Sequence, residues 1–411
     1  MKKLLLAEQV YVVLSLQFLA GAWVPTLYQI ITGQSVGDAH EGILVNQIFF
    51  YVIYAITFVL IFLRWKQFFY GMTKGKLLLV LVGLALFSVL WSDAPEVTLR
   101  RSSAALGTTL FGTYLATRYN LKEQLHLLAW AFGTLALSSL LFTIAFPAYG
   151  INAAQGGAWR GIFLHKNPLG NMMTIGAIVF LLSAMSSRKN RRLMWFGFGL
   201  SVCLLVLTTA KTPLVIFITL LLVLPLYRAL RWKFSWMMLC FIAVVIVFGC
   251  LTILILGNWE ILLTAMGKDI TLTGRTGLWE AVLDMVQERP WLGYGYSGFW
   301  LGTDGEGSAY VLQLVGWPAT YSHNGVLDLL LDVGYIGLFV FLLSFAISWF
   351  GAIALARSTK TSNGFWPLML LTFTLLSNVT DSTILRQNSI YWVLYVAVTL
   401  SISSPAKDIE A

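Results

Sequence analysis

The chain has 411 residues, of which 58% are hydrophobic and only 11% charged, where a soluble domain carries about 25% charged residues. So little charge cannot clothe a soluble surface, which excludes a soluble globular protein and places the chain in lipid. The net charge of +9 would point to nucleic acid in a soluble protein. In a membrane chain, basic cytoplasmic loops account for it, and no nucleic-acid partner is expected.

A membrane-spanning helix needs about 20 apolar residues. Twelve candidate stretches follow one another near 9–31, 43–63, 77–91, 102–117, 125–146, 168–186, 194–209, 212–227, 235–257, 333–356, 364–380 and 388–404. The fold class expected is an all-α polytopic membrane protein. The start, Met1-Lys2-Lys3 before an apolar run with Ala20-Gly21-Ala22 behind it, resembles a signal peptide. With further spans following, an uncleaved first helix is the better reading. The long segment between spans nine and ten exceeds what an unstructured loop reaches without a function, and it carries helical pieces. The expected division is a transmembrane bundle of spans one to nine over 1–257, a helical periplasmic cap bearing the chemical motifs over 258–332, and spans ten to twelve with a short cytoplasmic tail over 333–411. Cys203, Cys240 and Cys250 all lie in apolar runs, so neither a disulfide framework nor a metal cluster is expected.

Positive charge orients the spans. With the N-terminus inside, eighteen of the 27 Lys and Arg fall in mostly short inside segments, among them Arg64, Lys74, Lys76, Arg118, Arg188, Lys189, Lys233 and Lys407. Both termini should therefore be cytoplasmic. Nine fall outside: Arg100, Arg101, Arg160, Lys166, Lys211, Lys268, Arg275, Arg289 and Arg386. Some are ordinary surface solvation. Others sit beside span ends and turn signals, where they can meet an anion.

Four motifs lie on that outer side. In Arg160-Gly-Ile-Phe-Leu-His165-Lys166-Asn167-Pro168, Asn167 reads as a helix cap and Pro168 as the first helical residue. Free N–H groups beside His165 and Lys166 would favour an anion, although an interfacial cap reads the same way. Thr208-Thr209-Ala210-Lys211-Thr212-Pro213 is a tight outer turn whose lysine fits either an anion or a lipid headgroup. In Thr273-Gly274-Arg275-Thr276-Gly277, Thr276 reads as a cap. Arg275 then stands at the helix entrance with a fork suited to phosphate, a solvated arginine being the bland alternative. Pro290 closes that helix. In Tyr321-Ser322-His323-Asn324-Gly325-Val326-Leu327-Asp328 through Asp332 to Gly334, Ser322 reads as the cap and Gly334 as the stop. Asp328 and Asp332 share a face. His323, expected in the first turn, would stay neutral near the positive dipole and could accept a hydroxyl proton; such a histidine taken alone is more often structural. No nucleotide-phosphate glycine loop, HExxH or paired acidic metal motif occurs, so no cofactor or metal is expected. The spans are nearly free of ionisable residues, which argues against a proton-coupled transporter.

At these motifs the chain resembles the O-antigen ligase and polysaccharide polymerase superfamily (the WaaL/Wzy type). The pairing of Gly-Arg275-Thr-Gly-Leu-Trp with Ser-His323-Asn-Gly-Val-Leu-Asp carries most of the resemblance. The Phe163-Leu-His165-Lys166-Asn167 and Lys211-Thr212 strings look more like the ExoQ-type exopolysaccharide polymerases. The resemblance implies a bacterial inner-membrane glycosyltransferase with a periplasmic active site, metal-independent and inverting. Its donor would be a glycan on undecaprenyl diphosphate. The family's diphosphate-binding arginines map onto Arg275 and onto Lys211, where the ligases usually carry arginine, and its essential histidine maps onto His323. His323 and Arg275 are thus expected in catalysis. Lys211, Arg160, His165, Lys166, Asn167, Asn324, Asp328 and Arg386 are expected to bind substrate, Asp328 being also a candidate for orienting the His323 imidazole. A departing lipid diphosphate gathers negative charge, and without a metal each fixed donor there can matter by roughly 3–4 kcal/mol. The acceptor would be another glycan in a polymerase or the lipid A core in a ligase. The other expected partners are membrane lipids and a chain-length regulator or flippase. A transporter of lipid-linked oligosaccharide is the less favoured class.

Overall fold

The computed structural model describes residues 2–32, 44–186, 190–232 and 275–403. The expected span at 235–257, the first part of the expected cap, Thr273 and Gly274, Arg188, Lys189, Lys233, Lys268, Lys407, Cys240 and Cys250 lie outside the described residues.

The described chain is almost wholly helical. In order come α1 (Lys2–Leu19), α2 (Val24–Thr32), α3 (Leu44–Phe62), α4 (Trp65–Met72), α5 (Lys76–Phe87), α6 (Pro95–Arg118) and α7 (Leu121–Ala145). A single turn α8 (Pro147–Gly150) leads into a minimal antiparallel hairpin of β1 (Ile151–Asn152) and β2 (Ala158–Trp159), with Ile151 opposite Trp159. Then follow α9 (Lys166–Ser186), α10 (Arg191–Leu207), α11 (Lys211–Ala229), α12 (Arg275–Glu288), α13 (Glu306–Val315), α14 (Gly325–Ser358), α15 (Trp366–Ser377) and α16 (Ile390–Ile402). Local chemistry sets several of these starts. Pro95 opens α6, where a missing N–H costs nothing. Asn120 and Glu123 form a reciprocal capping box at α7, the Glu123 N–H donating to Asn120 at 2.9 Å and the Asn120 N–H to Glu123 at 3.0 Å.

Every expected span other than 235–257 falls on helix. Five helices among the described residues, α3, α7, α9, α11 and α14, are long and apolar enough to cross a membrane, and seven spans result when each bent pair counts as one. The pairs are α1 with α2, bent 63°, and α4 with α5, bent 91°. The other helices differ from the expectation for identifiable reasons. At 17, 12 and 13 residues, α10, α15 and α16 are short. Helix α6 has 24 residues but is rich in Ser, Thr, Gly and Arg. Its polarity is turned inward: Thr108, Thr109 and Thr113 are buried, and each donates its hydroxyl to the carbonyl four residues back at 2.8 Å. Thr108 also accepts from the Asn388 N–H at 2.9 Å, and Thr109 from the Trp392 indole at 2.8 Å. A helix that satisfies its own hydroxyls and faces protein does not have to be apolar.

The most enclosed span is α9, 83% buried, which packs on α7, α10 and α11, while α6 packs on α16 and α5 on α14. One large buried cluster runs through these helices. A second, separate cluster of Leu278, Val282, Val286, Tyr294, Phe299, Val311 and Leu331 joins α12 and α13 to the start of α14. The segment between Arg275 and Gly334 thus has its own hydrophobic core.

Candidate active site

The site is organised by a break in α14. Gly334 stands at φ 65°, ψ −167° inside an otherwise continuous helix of 34 residues, a conformation open to glycine and strained for other residues. A Cβ there would meet the Trp291 backbone at 2.3 Å. The backbone groups freed by the break are taken up by the segment after α12. Tyr335 N–H donates to Pro290 O at 2.8 Å, Ile336 N–H to Trp291 O at 3.3 Å, and Tyr294 N–H to Leu331 O at 2.7 Å. Irregular backbone in a membrane helix persists only where protein or a cavity satisfies it. Gly334 therefore ends a helical segment, as its place in the sequence suggests, and Pro290 lies just past the end of α12. The segment 325–333 becomes a short helix with Asp328 and Asp332 on the same side.

These two carboxylates face a cavity of about 560 Å³. Its charged wall comprises Arg101 of α6, Arg275 of α12, Arg386 and Asp381 of the loop after α15, and His323 with Asp328 and Asp332. Tyr296, Trp300, Tyr321 and Tyr391 add aromatic surface, and His165, Asn167 and Asn171 a polar one. Leu19, Ala20 and Pro25 around the α1–α2 bend and Pro213 and Ile216 of α11 add apolar surface to the lining. A hollow that brings three guanidinium groups and apolar side chains into one lining, with three carboxylates among them, can take a ligand with an anionic head and a hydrocarbon tail.

His323 differs in setting from the sequence expectation. It precedes the helix rather than occupying its first turn, and its φ is +54°. The cap is Asn324 and not Ser322: the Asn324 side chain accepts from the N–H groups of Val326 at 3.0 Å and Leu327 at 3.3 Å. Ser322 instead closes a small turn, its hydroxyl donating to Asn324 O at 2.7 Å and accepting from Asn324 N–H at 3.2 Å. The start at Gly325 is set by packing, since a Cβ there would lie 1.9 Å from Asn378 Oδ1. The His323 ring lies against Tyr321, centroids 4.0 Å apart, and near Trp317 at 6.0 Å. Asp328 holds the turn itself: its carboxylate accepts from Ser322 N–H at 3.0 Å.

Arg275 donates to Thr380 O at 3.3 Å, and Arg386 donates to Ser382 O at 3.3 Å while stacking over Tyr321 with its guanidinium carbon 5.8 Å from the ring centre. Thr276 lies inside α12, which begins no later than Arg275, so it is not the cap. Likewise α9 begins at Lys166, which puts Asn167 within the first turn instead of at the cap; Pro168 remains in that turn, where N–H groups have no helical partner anyway.

The structure gathers His323, Arg275, His165, Asn167, Asp328 and Arg386 around one cavity. It does not bring the other four expected residues to the lining. Lys211 is exposed at the first position of α11, beside the lining residues Thr212 and Pro213. Lys166 is half-buried at the first position of α9. Asn324 is spent on capping. Arg160 donates to Tyr149 O at 2.6 Å and Leu164 O at 3.2 Å, bracketing the hairpin loop, and burial lowers its pKa below the ordinary arginine range. Sequence reasoning missed Arg101, Asp332, Asp381 and Tyr321 as cavity residues. Arg101 carried a signal as one of the outward cations, whereas the loop 378–389 carried only Arg386.

Comparison with known proteins places part of this site in a family region. Residues 196–342, which include Arg275 and His323, match the Wzy_C family, described as O-antigen ligase. The chain is also 25% identical over 285 residues to the exopolysaccharide production protein ExoQ of Rhizobium meliloti (strain 1021), a match covering 66% of this chain. The chain spans 63% of the length of that relative.

Proposed function

With this likeness to the O-antigen ligase and ExoQ-type superfamily as the premise, we propose that the chain is a polysaccharide polymerase. It transfers a glycan from an undecaprenyl-diphosphate-linked donor to a sugar hydroxyl of an acceptor chain, on the periplasmic face of a bacterial inner membrane. The observation that carries the reading is the shared cavity. One base candidate, His323, and three guanidinium groups, Arg101, Arg275 and Arg386, come from separate segments to one hollow whose lining also includes apolar side chains.

The chemistry follows from that arrangement. The acceptor oxygen attacks the anomeric carbon on the face opposite the diphosphate, and His323 takes the hydroxyl proton. The anomeric C–O bond to the diphosphate breaks, and the electron pair leaves with it. The arginines hold the negative charge that develops on that leaving group, the role fixed donors play in transition-state stabilisation. Attack from the opposite face inverts the anomeric centre. The apolar side chains receive the start of the isoprenoid tail.

The test is turnover in vesicles loaded with lipid-linked repeat units. Wild-type protein is expected to lengthen the glycan with or without EDTA, and His323→Ala to lose lengthening while still binding donor. Movement of lipid-linked sugar across the vesicle without lengthening would mean a transporter instead. The family description favours a second reading, a ligase whose acceptor is the lipid A core. Cells lacking the protein that still attach single-repeat glycan to lipid A would exclude the ligase.

A further inference from the structure

Asp328 was expected to bind substrate and lines the cavity, and its hydrogen bonds also join three segments of the fold. Its carboxylate accepts from the Trp300 indole N–H at 2.9 Å, from the Ser322 N–H at 3.0 Å and from the Ser382 hydroxyl in a short bond. These donors belong to three segments far apart in sequence. Trp300 lies in the stretch joining α12 to α13. Ser322 is the residue before His323. Ser382 lies in the turn after α15, which also seats both arginines: Thr380 O accepts from Arg275 and Ser382 O from Arg386. The turn is itself rigid, with Asn378 Oδ1 accepting from the Thr383 N–H at 2.8 Å and Ser377 O from the Asp381 N–H at 2.9 Å.

We infer that Asp328 is a positioning residue that sets the distance between the His323 base and the turn holding Arg275 and Arg386. The inference rests on the polymerase reading and deepens it. A carboxylate is suited to the task because it offers acceptor sites in one plane and no donor. It holds the left-handed His323 turn and the arginine-bearing turn against one rigid helical segment, since 325–333 is clamped at its other end by the Gly334 break. Transfer needs the acceptor proton at His323 and the diphosphate charge at the arginines in the same transition state. An error in their separation is then felt in the chemical step more than in donor binding.

Asp328→Asn keeps the shape but turns one acceptor into a donor, so at least one of the three partners faces a donor. In the vesicle assay, kcat is expected to fall by up to about 100-fold, with KM for the lipid-linked donor little changed and the pH limb belonging to His323 displaced. A merely structural role would scale the rate with the folded fraction and leave the pH profile where it was. Wild-type kcat and pH profile in Asp328→Asn would overturn the inference, while His323→Ala in the same assay judges the polymerase reading separately. If Asp328→Asn does not reach the membrane folded, Trp300→Phe and Ser382→Ala each remove one donor; both lower kcat if the inference holds, and two wild-type rates reject it. If wild-type protein lengthens nothing, the polymerase reading fails by itself. NMR titration of labelled histidine then decides: an unchanged His323 signal in Asp328→Asn rejects the coupling, and a displaced one supports it.

Discussion

Arg160 and Arg275 both belong to the set of cations expected on the outer side and stand ahead of, or at, a helix start, yet their guanidinium groups are used differently. Arg160 is half-buried and gives its bonds to Tyr149 O and Leu164 O. Arg275 makes a longer bond to Thr380 O and lines the cavity. Sequence alone treats the two alike, because both are arginines beside turn signals and nothing in the spacing says which carbonyls come near. The structure separates them, and their variants should part accordingly. Arg275→Ala is expected to lower kcat/KM for the lipid-linked donor by about 100-fold or more with thermal stability kept. Arg160→Met is expected to lose about 1–3 kcal/mol of stability, seen as a lower Tm in detergent, with turnover per folded molecule retained. Equal losses of turnover in both would return Arg160 to the binding site.

At the scale of elements, the decisive feature is the interrupted α14. A single glycine in a hydrophobic run reads as a stop, and it is one. That the chain resumes as helix beyond a kink, with the 290–294 segment bonded to the freed backbone groups, could not be read from the run. The alternating N–H and C=O partners come from some 40 residues upstream. Gly334→Ala should be costly on two counts. The φ of 65° with ψ of −167° at Gly334 lies in an essentially glycine-only region that costs a Cβ-bearing residue about 1–3 kcal/mol, and the added atom meets Trp291 backbone, which has no flexible side chain to yield. A fall in Tm together with loss of transfer is expected, since the displaced segment carries Tyr294, Tyr296 and Trp300 toward the cavity; an Ala variant with wild-type Tm would mean the break tolerates a side chain. The same scale explains the misread caps. Ser322 and Thr276 are good capping residues by type, but the neighbours decide where a helix starts. Gly325 fits against Asn378 and a larger residue would not, so Asn324 becomes the cap.

Across the whole molecule, helix ends are tied by polar contacts distant from the cavity. Glu8, buried near the start of α1, accepts from the Tyr114 hydroxyl at 2.6 Å and from Arg118 at 3.0 Å, and is paired with Arg64 as well. This carboxylate links α1, the α3–α4 junction and the end of α6, and removing it leaves two arginines sharing one space. Glu8→Gln is expected to cost roughly 1–3 kcal/mol, measured as a lower Tm, with the donor KM of the remaining folded protein unchanged. By contrast Arg289 and Asp93, 2.7 Å apart but both well exposed, form a pair of the kind worth little.

Membrane residence, the helical class and the identity of His323 and Arg275 as the residues to watch were legible in the chain, because composition, apolar runs and short motifs are local properties. The polar interior helix α6, the placing of Arg101 and Ser382 in one cavity lining with His323, and the bonds that meet at Asp328 were decided by the tertiary structure alone. A threonine-rich helix looks unfit for lipid until its partners are known, and a carboxylate's task depends on which donors the fold delivers to it. Three donors from segments 300, 322 and 382 meet at Asp328 only because the helices between them pack, and no spacing within a linear chain records that meeting.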